Sequence, residues 1–422
     1  MRTPIPDYLD EVLAAVRDNE EGAVADYIPE LADADPSKLA IAFSTLDGQV
    51  YAAGDASTSF TIQSISKPFA YALAIRECGV DAVLERIGVE PSGEAFNEIS
   101  LEEGSKRPRN PMINAGAITC HSLLGSTEDE RFGVVLGALS ALAGRELTVD
   151  ESVFESELET AHRNLSIAHM LRSYEILTCD PAEIVSGYTR QCAIEVTVED
   201  LALMVTTLAN GGVQPKTGKR VLGGNTVRQV LSVMTTCGMY DAAGDWVTSV
   251  GIPAKSGVSG GIVGALPGQV GIATYSPRLD EHGNSVRGVE LFERLSRDMG
   301  MHMLEVPDAA RSAISVIRTV ETDGGPYRLF ALQGSIQFAS GERIARALAD
   351  DETTDCPVVI DIDEVFEINN VGRRMLHEVV RRLSDDGREV TIVDPDGLLS
   401  DAKSEDELPA RIVTKRPPAS HA

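Results

Sequence analysis

Gln63-Ser64-Ile65-Ser66-Lys67-Pro68 is the stretch on which the reading of this 422-residue chain turns. Within it Ser64 and Lys67 stand three positions apart. On a helix that spacing puts two side chains on one face. A lysine so placed can take the proton of a serine hydroxyl, the arrangement of a serine hydrolase. Pro68 is compatible with a helix that begins at Ser64 or Ile65, because the first N–H groups of a helix have no intrahelical partner. The helix start also sets partial positive charge behind the serine. Taken alone, the pair is weak evidence and reads more readily as an N-cap serine followed by a solvated lysine.

A second element lies 188 residues further on. Lys255-Ser256-Gly257 falls in a glycine-rich stretch, Ala254 to Gly264, that otherwise reads as a strand. Glycines there let the strand backbone approach a substrate closely. In this order the two elements resemble the SxxK and Lys-Thr/Ser-Gly pair of β-lactamases and penicillin-binding proteins. A second ammonium near Lys67 is expected to lower its pKa by like-charge repulsion, as is burial. A neutral Lys67 is what a general base requires. The Ser-Asp-Asn element of β-lactamases is missing, which argues against that branch.

The wider context resembles the serine-dependent glutaminases, which share the β-lactamase-like fold. The resemblance runs from about Val24 to Gly288 and rests on seven strings in family order. These are Val-Ala-Asp-Tyr-Ile-Pro (24–29), Gln-Ser-Ile-Ser-Lys-Pro (63–68), Asn-Pro-Met-Ile-Asn-Ala-Gly-Ala-Ile (110–118), Ile-Glu-Val-Thr (194–197), Leu-Ala-Asn-Gly-Gly (208–212), Cys-Gly-Met-Tyr-Asp (237–241) and Pro-Ala-Lys-Ser-Gly-Val (253–258). The resemblance implies L-glutamine as substrate, Ser64 as nucleophile, Lys67 as proton acceptor and Tyr240 as a proton relay. It also implies an oxyanion hole made by the backbone N–H groups of Ser64 and Val258. Glu157 matches the carboxylate that pairs with the substrate α-ammonium. Tyr27, Asn114, Asn164 and Tyr188 match the groups that hold the α-carboxylate and the side-chain amide, with Gln63 beside the nucleophile and Lys255, Ser256 and Gly257 in support. Glu157 lies in Glu-Ser-Glu-Leu-Glu, so Glu155 and Glu159 are alternative registers. No metal or organic cofactor is implied, and a homo-oligomer, dimer or tetramer, is expected. A β-lactam-interacting serine hydrolase and an inactive glutamine sensor are the competing readings.

The pattern around these elements fits an α+β fold. Tyr8, Leu9, Val12, Leu13 and Val16 recur at helical spacing. The runs Leu39–Leu46 and Gln49–Ala53 flank Asp47-Gly48, a hairpin signal. Helical patterns then dominate from Ser64 to about Asn210, and β-branched residues return in Ile252–Tyr275. Strands at both ends of this block predict one antiparallel sheet closed by the two chain ends. The domain is assigned to residues 1–305.

A second domain, residues 312–415, reads as a small α/β unit. A strand at Tyr327–Leu332, a helix at about Ser340–Ala349, a continuously apolar strand Val358–Ile362 interrupted by Asp361, a helix at Val371–Leu383 and a strand at Val390–Val393 follow in turn. The run Val365-Phe366-Glu367-Ile368-Asn369-Asn370-Val371-Gly372 resembles the helix entry of STAS domains. Asn370 stands where anti-sigma-factor antagonists carry the serine they phosphorylate, so no phosphorylation switch is expected at that point. The resemblance implies a module that binds an unknown protein or small ligand, or that packs subunits together. The tail, Ser404–Ala422, reads as frayed.

Composition bounds the partners. Lys+Arg is 37 and Asp+Glu 65, for a net charge of −28. Such a field repels phosphate backbones and anionic lipids, so neither nucleic acid nor a membrane surface is expected as partner. The excess acid fits solubility or a saline habitat. No run approaches the ~20 apolar residues of a membrane span; Phe132 to Ala143 reads as a buried helix. Met1 to Asp10 has no apolar signal core. Six scattered cysteines without CxxC spacing read as reduced thiols, and seven histidines lack metal-helix spacing. Together these favour the cytoplasm.

Overall fold

The structure is a computed structural model that describes residues 5–93, 100–305, 313–351, 356–399 and 408–418. The chain forms two compact units, Met1–Glu305 and Val306–Ala422. The start of the second block near Ser312 lies outside the described residues.

The first unit holds β1 (Ala40–Thr45), β2 (Val50–Gly54), β3 (Phe60–Thr61), β4 (Glu195–Val196), β5 (Ala254–Ser256), β6 (Gly261–Leu266) and β7 (Val270–Tyr275). Five of these make an antiparallel sheet in the order β2-β1-β7-β6-β5, so the two ends of the unit do close one sheet. Asp47-Gly48 makes the β1–β2 turn, with Gly48 at a φ of 83°. Strand periodicity sorts the two faces. Ile41, Phe43, Ile262 and Ile272 face a core that contains Leu9, Leu13, Leu291 and Phe292 from the helices Ile5–Val16 and Val286–Met299. Ala42, Val263 and Ala273 face the opposite core with Leu201, Met204 and Val205 of the helix Val198–Ala209. That helix is buried along its whole length and starts in a capping box between Thr197 and Asp200. Burying each such aliphatic side chain is worth roughly 1.5–3 kcal/mol.

A helical cluster covers the remaining side. Asn114–Ser122, His162–Ser173 and Pro181–Cys192 share one core that contains Ile118, Ile167, Leu171, Ile184 and Tyr188. The helix Glu128–Ala143 is amphipathic, with Val135, Leu139 and Leu142 inward. The short pair β3–β4 joins the cluster to the turn that follows Thr61, and Ile62 N–H donates to Ile194 O at 2.8 Å. No helix among the described residues is long and apolar enough to cross a membrane.

The second unit has β8 (Ile314–Val320), β9 (Tyr327–Ile336), β10 (Val358–Ile368), β11 (Val390–Val393) and β12 (Arg411–Val413), in the order β12-β11-β10-β9-β8. Pairing is parallel except between β8 and β9. The helices Phe338–Ala349 and Asn370–Asp385 cover one face through Ile344, Leu348, Leu376 and Val380. Asn369 caps the second helix by accepting from Gly372 N–H at 2.8 Å.

Two features correct the sequence reading. β8 escaped notice because five of its seven residues are solvent-exposed and its alternation is weak. The tail is not wholly frayed: Arg411–Val413 adds parallel to β11, and beyond it Arg416 forms an ion pair with Asp361. Tyr327 Oη donates to Pro417 O at 3.1 Å. The polar break in the apolar strand thus has a partner supplied about 55 residues later. Residues 400–407 and 419–422 of that tail lie outside the described residues. Removing the partner of a buried carboxylate costs on the order of 1–3 kcal/mol. Arg416→Ala is expected to lower the melting transition of the second unit and leave that of the first unchanged, as read by calorimetry on the full chain.

Candidate active site

Ser64 lies in a 3-10 turn, Gln63–Ser66, which runs directly into the α-helix Lys67–Cys78 with Pro68 in its first turn. Lys67 N–H donates to Ser64 O, so the two residues occupy one helical turn. Neither half of the bland reading survives. Ser64 makes no cap, and Lys67 is 0% exposed rather than solvated. Lys67 Nζ donates to Met112 O at 3.1 Å and to Asn114 Oδ1 at 2.8 Å. Burial pushes its pKa down from the ordinary lysine value to about 8.

The other predicted residues converge on this turn. Asn114 opens the helix Asn114–Ser122, and its Nδ2 donates to Asn164 Oδ1 at 3.0 Å. Asn110 shapes the approach, because its side-chain oxygen accepts from Met112 and Ile113 N–H. Glu157 Oε1 accepts from Tyr27 Oη at 2.7 Å and from Gln63 Nε2 at 3.1 Å. Burial raises the Glu157 pKa, and the two donors oppose the rise. Glu155 and Glu159 are exposed on the same helix, so the geometry brings Glu157 alone of the three to the turn. Tyr188 is buried in the helix Pro181–Cys192, and its hydroxyl is hydrogen-bonded to Cys192.

The glycine-flanked edge closes the other side. Tyr240 is hydrogen-bonded to Ser64 and donates to Ser256 O at 3.3 Å. Burial lifts its phenol to about 12, so it keeps its proton at neutral pH. Lys255 Nζ sits 3.8 Å from the centroid of the Tyr240 ring and donates to Ser256 O at 2.7 Å. The like-charge effect expected at Lys67 falls on Lys255 instead. Burial first, then repulsion from Lys67, holds Lys255 well below the usual range, whereas burial is the main depressant at Lys67.

The two N–H groups that the resemblance implies as oxyanion donors belong to Ser64 and Val258. Hydrogen bonding within the 3-10 turn begins with Ile65 N–H to Ile62 O, so the Ser64 N–H precedes it. Val258 stands just beyond the β5–β6 ladder, which ends with Gly257 N–H to Gly261 O. Its side chain packs on Ile28, Val153 and Ala193. A Cβ at Gly257 would meet Ile62 O at 3.2 Å, so a glycine lets β5 close on the turn. Cys192 escaped sequence reading as part of the site. It follows Tyr188 by four residues, the helical spacing that signals a shared face, and it is hydrogen-bonded to Ser66 as well.

With this geometry in view, the likeness to known proteins is decisive. The Glutaminase family model matches residues 22–304. The chain belongs to the glutaminase family. The STAS domain model matches residues 317–401. The glutaminase of Corynebacterium glutamicum is 50% identical over 401 residues, covering 94% of this chain and 96% of that one. That of Corynebacterium efficiens is 49% identical and covers 94% of both. Among solved structures, Mglu in its glutamate form aligns with a TM-score of 0.88 at 45% identity, over 94% of this chain and all of that one. A probable glutaminase from Bacillus subtilis, complexed with 6-diazo-5-oxo-L-norleucine, aligns at 0.66 and 35% identity, over 72% of this chain and 98% of that one.

Tyr240 owes its place to Gly238, where a Cβ would lie 1.8 Å from Ala254 O. Gly238→Ala must therefore push the Tyr240 turn off β5. Displacement on the ångström scale costs about 100-fold in turnover. That loss is expected in ammonia release by a variant that keeps wild-type circular dichroism; unchanged kcat would show that Tyr240 is positioned otherwise.

Proposed function

We propose that this glutaminase hydrolyses L-glutamine to L-glutamate and ammonia through an acyl-enzyme on Ser64. The observation that carries the reading is the amine of Lys67, fully buried on the turn of a serine that is itself hydrogen-bonded to Tyr240. Neutral Lys67 removes the Ser64 proton, and Ser64 Oγ attacks the side-chain amide carbon. The resulting oxyanion is held by the N–H groups of Ser64 and Val258, where one fixed donor is typically worth about 3–4 kcal/mol. The C–N bond then breaks, and the leaving nitrogen takes a proton through Tyr240 and departs as ammonia. Water, activated by the same base, attacks the γ-glutamyl ester, and Ser64 recovers its proton. The steps use neither a metal nor an organic cofactor.

Glu157, steadied by Tyr27 and Gln63, receives the α-ammonium of the substrate. Asn114, Asn164, Tyr188 and Tyr27 hold the α-carboxylate and the amide with neutral donors, while Lys255, Ser256 and Gly257 support Tyr240 and the strand edge. The protein acts in the cytoplasm, a reading supported by six cysteines that are all free thiols. It assembles as a dimer or tetramer, and the STAS domain binds a protein or small ligand, both on the strength of the family resemblance.

Ser64→Ala is expected to reduce ammonia release at least about 10⁴-fold while the fold persists; full turnover would refute the nucleophile. The base assignment predicts a pH profile. Lys67 works only after losing its proton, so kcat/KM should fall as pH drops below about 8 and level off above it. A profile level across that range would remove Lys67 as the base.

A further inference from the structure

A chain of hydrogen bonds that the mechanism leaves unused runs from the helical cluster to the nucleophile turn. His121 Nδ1 lies 3.1 Å from Gln191 Oε1. Gln191 Nε2 donates to Ser66 Oγ at 2.9 Å, and Ser66 Oγ donates to Gln63 O at 2.8 Å. All four residues are buried. The direction of donation follows from chemistry. A carbonyl only accepts, so the Ser66 proton goes to Gln63 O, and in that arrangement the Cys192 thiol that also bonds Ser66 stands as donor to Ser66 Oγ. Ser66 Oγ then accepts from the amide nitrogen of Gln191, which turns the amide oxygen toward His121. His121 Nδ1 must carry the ring proton. Its Nε2 has no partner among the described residues and lies against Gly187, where a Cβ would come within 2.4 Å. Burial keeps the ring neutral, with a pKa pushed down to about 4.

The chain ends on a particular peptide. Gln63 O and Ser64 N–H belong to one planar amide, and Gln63 holds it from a left-handed φ of 49°. Drawing electron density toward the carbonyl makes the N–H of the same amide a stronger donor, and serial bonds reinforce one another.

We infer that Ser66, Gln191 and His121 are positioning residues that orient and polarise the Gln63–Ser64 amide as an oxyanion donor. The inference rests on the reading of Ser64 N–H as half of the oxyanion hole. It differs from a packing role in what it affects: the transition state gains and the ground state does not.

The test compares turnover with ground-state binding. Removal of a whole oxyanion donor costs about 100- to 1,000-fold, and loss of its polarising partner should cost a fraction of that. Ser66→Ala is expected to lower kcat about 10-fold, while KM for glutamine and the calorimetric Kd for glutamate stay within about twofold. Gln191→Met should lower kcat about 3-fold with the same Kd. Because the bonds act in series, the double variant should be no slower than Ser66→Ala alone. A fall in kcat matched by weaker glutamate binding and a lower melting temperature would assign the chain to packing and overturn the inference. So would wild-type kcat in Ser66→Ala. Should Ser66→Ala not fold, Gln191→Met decides: unchanged kcat overturns the inference. Ser64→Ala, run alongside, separates the two levels. Residual turnover there discredits the acyl-enzyme reading, whereas an inert Ser64→Ala beside a fully active Ser66→Ala discredits only the role of the chain.

Discussion

An amine taken wholly out of water is the constraint around which this site is built. Transfer of an ammonium into a low-dielectric interior is so unfavourable that the group gives up its proton first. Lys67 is buried at the start of a helix, where a carbonyl and an amide oxygen accept from it and its pKa falls to about 8. Lys255 meets this constraint more severely, since it shares the interior with Lys67. A charge on Lys67 disfavours one on Lys255. Burial thus brings Lys67 within reach of its free-base form without spending a histidine on it, and the Tyr240 phenol, hydrogen-bonded to Ser64, keeps its proton.

Substrate recognition follows the opposite electrostatics. Glutamine carries a cation and an anion on one carbon, so its head needs an acid in one place and neutral donors in another. Glu157 is partly buried with a raised pKa, which means that it gains from the arrival of an ammonium. Asn114 has a double duty: its oxygen accepts from Lys67 and its nitrogen donates to Asn164. A change at Asn114 therefore reaches both Lys67 and Asn164.

Much of this was legible in the sequence because the family strings coincide with structural contacts. Ile194, in Ile-Glu-Val-Thr, takes the Ile62 N–H just ahead of the nucleophile turn. Gly238, in Cys-Gly-Met-Tyr-Asp, gives way to Ala254 O. The seven-residue gap to Asn164 favours Glu157 over Glu155 and Glu159, and the exposure of the other two agrees with that register. What stayed hidden has one physical cause. The partnership of Arg416 with Asp361, the repulsion that falls on Lys255 rather than Lys67, and the reach of His121 to Ser66 all join residues distant in the chain. None leaves a periodicity or a local spacing behind. β8 was missed for a different reason, since an edge strand with a wet face has too little alternation to register.

The reacting hydroxyl is flanked by backbone strain on both sides. Gln63 and Tyr240 are two of four non-glycine residues at positive φ among the described residues, at 49° and 57°. Each such residue costs on the order of 1–3 kcal/mol and persists only where its surroundings leave no alternative. At Gln63 the surroundings are the hydrogen bond to Glu157, the Ser66 hydroxyl on its carbonyl and the close approach of Gly257. At Tyr240 they are the contact of Gly238 with β5 and the hydroxyl bonded to Ser64 and Ser256. Both strained residues are thus pinned through glycines that let β5 come near. A side chain at either glycine would relieve the strain by letting the backbone move, and in doing so would withdraw the amide and the phenol from the serine between them. Gly257 and Gly238 act through the close approach to β5 that each allows.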